Sequence, residues 1–308
     1  MDNSSTQIPA FSFKHLGAVF KKTFKSWNEN DPFRQSAVVA YYALFSLPAL
    51  LVLVINIAGA VYGEQAVQGQ INKELGAILG QETVSQIQTM ISKASQQENS
   101  FWASLISIAT LIFGSTGAFF QLQKSLNIVW NVKQDPKSGI KKMLFDRATA
   151  FGMVLVIAFL LLISFVLTAV LSAISDWITN NVSDYLIYVF YVANFLLSFG
   201  IITILFALIF KVLPDVKIPW NSVWQGAILT AALFVIAKFA LGLYFGQFDP
   251  GSTYGAAGSI ILILLWISYS CMLLFFGAEF TRAYTRQHGL RPKPSSYAIK
   301  VKEEVVST

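Results

Sequence analysis

Lys238 is the residue of this sequence best suited to chemistry. It interrupts the apolar run AILTAALFVIAKFALGLYFG, eight residues before Gly246, which is about 12 Å along a helix. Ionisable groups at membrane depth are costly and tend to be functional. A lysine ammonium in a polar cavity would bind an anionic group such as a phosphate. The alternative is a structural lysine that is satisfied by carbonyls and by Asn or Thr side chains and holds helices together.

Polar residues occur at similar depths in four other apolar runs. Measured from the predicted outer ends, they lie about 9–13 Å deep at ~1.5 Å per residue. They are Asn56, Thr110, Thr168 and Asn194. We therefore predict a substrate-binding polar layer in the outer half of the membrane. Asp249, in FDPGSTYGAAGS, would lie at its outer mouth, although this stretch also fits a tight turn and a capped helix start.

Three residues are candidates for a hinge or a broken helix. Pro48 lies inside the apolar run LFSLPAL, where a proline kinks or breaks a helix. A break would expose backbone carbonyls, as in transporters, whereas a simple kink is the commoner outcome. Gly114 and Gly117 give the second apolar run a small-residue face suited to close helix packing.

The sequence offers little for catalysis. His15 and His288 are the two histidines, and neither belongs to a metal-ligand motif; a GxxxxGK[ST] loop is also missing. The single cysteine, Cys271, is best interpreted as a small buried residue. A ribonuclease needs clustered carboxylates with metal ions, or paired acid and base groups. We therefore expect no enzyme, no cofactor and no metal site.

The composition is that of a membrane protein. Hydrophobic residues make up 55% of the 308 residues and charged residues 12%, with a mean hydropathy of +0.59, whereas soluble domains carry roughly a quarter charged residues. We predict an all-α, polytopic membrane protein. Its six spans fall at about 36–62, 101–122, 148–175, 185–210, 222–246 and 255–280.

Three polar regions surround or interrupt this membrane domain of residues 36–284. Residues 1–35 form an N-terminal segment whose aromatic residues recur at helical spacing between lysines, which is typical of an amphipathic helix in the membrane interface. Residues 64–98 have apolar residues at helical spacing, which predicts two short helices outside the bilayer. Residues 285–308 form a polar tail that we expect to be disordered.

Lysine and arginine are unevenly distributed between the two sides. The N-terminal segment has five, the loop 124–147 six, the connection around 211–217 two, and the C-terminal end six. The opposite side has only Lys73 and Lys93. This split predicts that both ends lie in the cytoplasm. Because the same rule explains the net charge of +6, we do not expect nucleic acid as a partner.

Five segments resemble a known family. They are AYYALFSLPALL (40–51), FGSTGAFFQLQKSLNIVW (113–130), PDVKIPWNSVWQGA (214–227), STYGAAGSIILILLWISYS (252–270) and FGAEFTRAY (276–284). Together they are similar to the YihY/BrkB family of bacterial inner-membrane proteins, over roughly residues 15–288. The resemblance implies a six-span helical protein of the inner membrane. The family was formerly mislabelled as ribonuclease BN, and its members have been connected with virulence, serum resistance and the export of envelope lipids.

These observations favour a transporter or flippase-like protein for an amphipathic or anionic envelope component, with membrane lipids as its surroundings and a lipid or other anion as its substrate. The alternative is a non-transporting scaffold or envelope assembly factor that binds an envelope protein through residues 64–98. We disfavour the third candidate, a ribonuclease.

Overall fold

The fold is of the all-α class in the part of the chain that the structure describes, with four very short strands beside the helices. This part of the computed structural model comprises residues 13–79, 81–95, 101–139, 141–142, 144–160, 163, 185–248 and 257–301. Within it, four helices are long and apolar enough to cross a membrane: Pro32–Val61, Val192–Val212, Trp220–Phe245 and Gly258–Gln287. The chain is therefore a polytopic helical membrane protein, as predicted.

Nine α-helices and one short 3-10 helix (Pro136–Ser138) run through these residues. The α-helices are α1 (Phe13–Glu29), α2 (Pro32–Tyr62), α3 (Glu64–Leu79), α4 (Gln81–Ser95), α5 (Phe101–Val129), α6 (139, 141–142, 144–160 and 163), α7 (Tyr185–Val212), α8 (Trp220–Phe248) and α9 (Gly258–Gln287). Helices α2, α7, α8 and α9 coincide with four predicted spans. Helices α5 and α6 cover the predicted second span and the first part of the third, whose second part lies outside the described residues.

Helix α2 begins and ends at residues suited to those positions. Pro32 occupies its first turn, where a missing N–H costs nothing. Gly63 follows its last residue with φ 84°, a conformation that glycine adopts readily. A Cβ on Gly59 would lie 2.9 Å from Glu64 Cγ. The chain therefore turns back sharply, and α3 packs against α2.

The apolar side chains form two main cores. The larger includes Leu126 of α5, Phe210 of α7 and Ala227 of α8. The second joins α2, α3, α4, α8 and α9 and includes Val67 and Ile87. The prediction of two short helices in residues 64–98 is confirmed, and both bury their apolar faces against the long helices.

The predicted amphipathic helix near the N-terminus is α1. Its apolar stripe packs on α9: Phe20 contacts the ring of Phe280 at 5.3 Å between centroids, and Trp27 Nε1 donates to the carbonyl of Met272 at 3.1 Å. Lys21 and Lys22 lie on the exposed face. Much of the stripe is thus used for protein contact.

Helices α8 and α9 cross at two glycines. A Cβ on Gly226 would lie 1.8 Å from Thr281 Oγ1, and a Cβ on Gly277 would lie 1.7 Å from Thr230 Oγ1. Each threonine donates to a glycine carbonyl of its own helix, four residues earlier, at 2.7–2.8 Å. The hydroxyl of each helix therefore occupies the space beside the glycine of the other, as in small-residue helix crossings in membranes.

The expectation of a disordered tail is wrong for residues 285–301. Four short strands form two antiparallel ribbons: β1 (Val132–Gln134) pairs with β4 (Ala298–Lys300), and β2 (Val216–Lys217) pairs with β3 (Lys293–Pro294). Backbone hydrogen bonds thus attach the tail to the segments that follow α5 and α7. Residues 302–308 lie outside the described part.

Candidate functional site

Lys238 lies on the face of α8 that is turned toward the bundle. Phe234 and Leu241, on the same helical face, pack against the larger and the second core respectively. Ile236 and Phe239, on the other face, are 66% and 71% exposed. Lys238 itself is half-buried and ten residues from the end of α8, or about 15 Å along the axis. Lys238 thus lies, along α8, between two residues that pack against the two cores.

A polar cavity lies at the end of the bundle nearer to Lys238. It has a volume of about 410 Å³ and is formed by α2, α3 and α4. Its polar lining consists of Gln68, Asn72, Gln88 and Ser92, with Ile55 at the α2 side. Amide and hydroxyl groups in a pocket of this size are suited to holding a polar headgroup or a small ligand.

The opposite end of the bundle contains a buried charge cluster, defined by Lys142, Asp146 and Asp215. Lys142 on α6 is completely buried, and its Nζ lies 2.6 Å from Asp215 Oδ1 and also contacts Asp146 Oδ1. Asp146 is one turn further along α6, whereas Asp215 belongs to the connection between α7 and α8. A buried lysine needs such partners because an unpaired buried charge is very costly.

Two side-chain amides from α5 complete this cluster. Gln123 Nε2 donates to Asp146 Oδ1 at 3.0 Å. Asn127 makes two bonds to Asp215: its Nδ2 donates to Oδ2 at 2.8 Å, and its Oδ1 accepts from the backbone N–H at 2.8 Å. The cluster therefore joins α5, α6 and the α7–α8 connection through polar contacts that are shielded from water.

A second buried pair, at the same end, fixes α9. Glu279 is 1% exposed; its Oε1 accepts from Asn30 Nδ2 at 2.5 Å and its Oε2 lies 3.1 Å from Arg282 Nε. Arg282 Nη1 also donates to the carbonyl of Val129, the last residue of α5. This pair thus connects the α1–α2 turn, α9 and the end of α5.

Comparison with known proteins places this architecture in a family. A family model described as virulence factor BrkB matches residues 23–299, which is most of the chain. The chain belongs to the BrkB family. No solved structure matches it.

Curated relatives of this BrkB family member are named UPF0761 membrane proteins. One from Saccharophagus degradans is 23% identical over 267 residues, which cover 87% of this chain and 59% of the relative. One from Alcanivorax borkumensis is 24% identical over 97% of this chain and 68% of its own length. One from Pseudoalteromonas translucida is 24% identical over 79% of this chain and 78% of its own length. The chain spans less than two thirds of the first of these relatives.

In this BrkB family member, the described residues of the predicted polar layer do not share the half-buried environment of Lys238. Asn56 and Asn194 are both exposed, and Asn56 Nδ2 donates to the carbonyl of Val52 in its own helix at 2.9 Å. The side chain of Thr110 and all of Thr168 and Asp249 lie outside what the structure describes. A shared role of these residues with Lys238 in substrate binding stays a prediction.

The hinge candidates lie within continuous helices. Helix α2 runs through Pro48, and the nearby Ser46 hydroxyl donates to the carbonyl of Tyr42 at 2.6 Å. Helix α5 runs through Gly114 and Gly117. A Cβ on Gly114 would lie 3.1 Å from Ala49 Cβ, so Gly114 allows α5 to approach α2 closely. The role of these residues as hinges stays a prediction.

Sequence reasoning did not find the Lys142 cluster. The four-residue spacing of Lys142 and Asp146 could have indicated an ion pair on one helix face. No local pattern joins either residue to Asp215, which lies 73 residues beyond Lys142. The family match covers all three residues.

Proposed function

We propose that this BrkB family member is a transporter or flippase-like protein of the bacterial inner membrane that handles an amphipathic or anionic envelope component. The observation that carries the proposal is the half-buried Lys238 on the inward face of α8, between two apolar cores. Lys238 has an interaction of its own within the protein, but ionisable groups at membrane depth tend to be functional, and an anionic substrate would be complementary to a cation there. The cavity lined by Gln68, Asn72 and Gln88 supplies polar groups at the nearer end of the bundle.

The proposal includes six spans with both ends in the cytoplasm. The contacts of Asn127, Asn30 and the tail ribbons bring the end of α5, the α1–α2 turn, the α7–α8 connection and the C-terminus to one end of the bundle. Together with the rest of the N-terminal segment and the loop 124–147, these segments hold 19 of the 22 Lys and Arg residues. The positive-inside rule assigns that end to the cytoplasm and assigns α3 and α4 to the outer side.

Reconstitution of the purified full-length protein into liposomes tests transport directly. Dithionite added outside the liposomes reduces the dye of fluorescent phosphatidylglycerol in the outer leaflet only. Lipid in the inner leaflet stays fluorescent unless it moves to the outer leaflet. A transporter of anionic lipid raises the fraction of dye that dithionite reduces within minutes, relative to liposomes without protein. Fluorescent phosphatidylcholine in parallel shows whether anionic headgroups are preferred.

The second candidate is a non-transporting scaffold for the cell envelope. It is favoured by the polar outward faces of α3 and α4, where Glu64, Gln65 and Thr89 are exposed. A scaffold would show no lipid movement in liposomes, and changes on these faces would weaken capture of an envelope protein. We propose no catalytic activity, cofactor or metal for either candidate, and no nucleic-acid partner.

A further inference from the structure

A second cavity opens at the end of the bundle opposite to α3 and α4. It has a volume of about 500 Å³ and lies between the end of α9, the turn that follows it and both β ribbons. Three cationic side chains line it, Arg286, Arg291 and Lys300, and Trp130 forms an aromatic wall. No carboxylate belongs to the lining.

The positive charge of this cavity is only partly balanced within the described residues, because Arg286 interacts electrostatically with the buried Glu279 while no carboxylate lines the cavity. Arg286, Arg291 and Lys300 do not take part in the ion pairs described for this structure, among them those of Lys142 with its two aspartates and of Arg282 with Glu279. The end of α9 adds a partial negative charge, but this amounts to about half an elementary charge. Three full positive charges outweigh it, so the cavity attracts anions.

The cavity also lies at a suitable depth for a lipid headgroup. Helix α9 has 30 residues, or roughly 45 Å at 1.5 Å per residue. A bilayer including its headgroup layers is about 40–45 Å thick. Arg286, in the last turn of α9, therefore falls at headgroup level on that side.

We propose that this cavity, defined by Arg286, Arg291, Lys300 and Trp130, binds an anionic phosphate group, carried by a phospholipid headgroup or by a soluble phosphate compound. Arginine matches phosphate geometry through paired N–H donors, and lysine adds a third cation. Residues 289–292 and Lys300 build one side of the cavity. The proposal does not depend on transport, because binding at this end is measured separately from movement across the membrane.

The test uses the full-length protein in detergent. Native mass spectrometry measures retention of phosphatidylglycerol against phosphatidylcholine with the same acyl chains, and calorimetry measures binding of inorganic pyrophosphate. The variant combines Arg291→Gln with Lys300→Gln, whose side chains are both exposed. The control combines Lys21→Gln with Lys22→Gln, which removes the same charge from the exposed face of α1.

We expect the cavity variant to lose roughly tenfold in affinity for the bound anion, because it lacks two of the three cations of the cavity, while the control keeps wild-type binding. Loss of phosphatidylglycerol selectivity supports the proposal with a lipid headgroup as the source. Loss of pyrophosphate binding without a change in phosphatidylglycerol selectivity supports the proposal with a soluble phosphate compound as the ligand. Equal binding by wild type, variant and control in both assays would overturn it. Matching thermal unfolding of all three proteins shows that any loss is local.

Discussion

Lys142 Nζ lies 2.6 Å from Asp215 Oδ1, and this contact joins the first turn of α6 to the connection between α7 and α8. Both side chains are at least nine-tenths buried. Water therefore screens their attraction little, and neither group can regain hydration if the other is lost. The pair fixes the positions of α6, α7 and α8 at the end of the bundle that we assign to the cytoplasm.

Replacing Lys142 is expected to unfold this end of the bundle. Lys142→Met leaves Asp146 and Asp215 buried without their cation, and removal of one partner from a buried ion pair typically costs about 3–5 kcal/mol. Thermal unfolding in detergent should show a large decrease in midpoint, and the membranes should contain less protein. Lys141→Met is the matched control, because Lys141 is exposed. Equal stability of the two variants would mean that the contact contributes nothing.

The crossing of α8 and α9 is expected to tolerate no added methyl group. Gly226→Ala and Gly277→Ala each place Cβ less than 2 Å from a threonine hydroxyl, so the threonine must leave its hydrogen-bonded rotamer or the helices must separate, at a cost of about 1–3 kcal/mol. Gly200→Ala in α7 is the control, because no atom lies within 4 Å of its added Cβ. Denaturant unfolding of the three variants compares them directly. A Gly226→Ala protein as stable as Gly200→Ala would show that the helices are further apart than described.

Glu279 is expected to hold α1 against α9. Glu279→Ala removes the acceptor of Asn30 and the carboxylate beside Arg282, so α1 should detach more often and trypsin should cut faster at Lys21 and Lys22. Glu29→Ala serves as the comparison, since its contact with Lys25 is exposed and long at 3.8 Å. The rate of appearance of the shortened chain on a gel measures the effect. An unchanged rate for Glu279→Ala would count against this role.

The proposed orientation predicts which positions react from outside the cell. Cys271, the single cysteine, is buried and is first replaced by Ser. Gln88→Cys on α4 and Lys133→Cys on β1, both at exposed positions, are then introduced separately. A membrane-impermeant maleimide applied to spheroplasts should label Gln88→Cys, and should label Lys133→Cys only after lysis. The reverse pattern would invert the orientation.

Hydropathy was sufficient to predict α2, α7, α8 and α9, because an apolar run of bilayer length has few other stable arrangements. The helical spacing of apolar residues predicted α3 and α4, because it gives a helix one apolar face that can be buried. The contacts of Asp215 and Glu279 could not be predicted in this way, since their partners come from distant parts of the chain. The ordered tail was missed because strands of two or three residues have no periodicity of their own and depend on the pairing of Val216 and Val132 with β3 and β4.

The central claim is that Lys238 acts on an anionic substrate within the membrane. The most direct measurement compares wild type, Lys238→Met and Lys238→Arg in the liposome assay with fluorescent phosphatidylglycerol, at equal protein density and after matching thermal unfolding. The account predicts that wild type moves the lipid, that Lys238→Met falls to the rate of protein-free liposomes, and that Lys238→Arg, which keeps the charge, retains a substantial part of the activity. Lipid movement by Lys238→Met at the wild-type rate would contradict it.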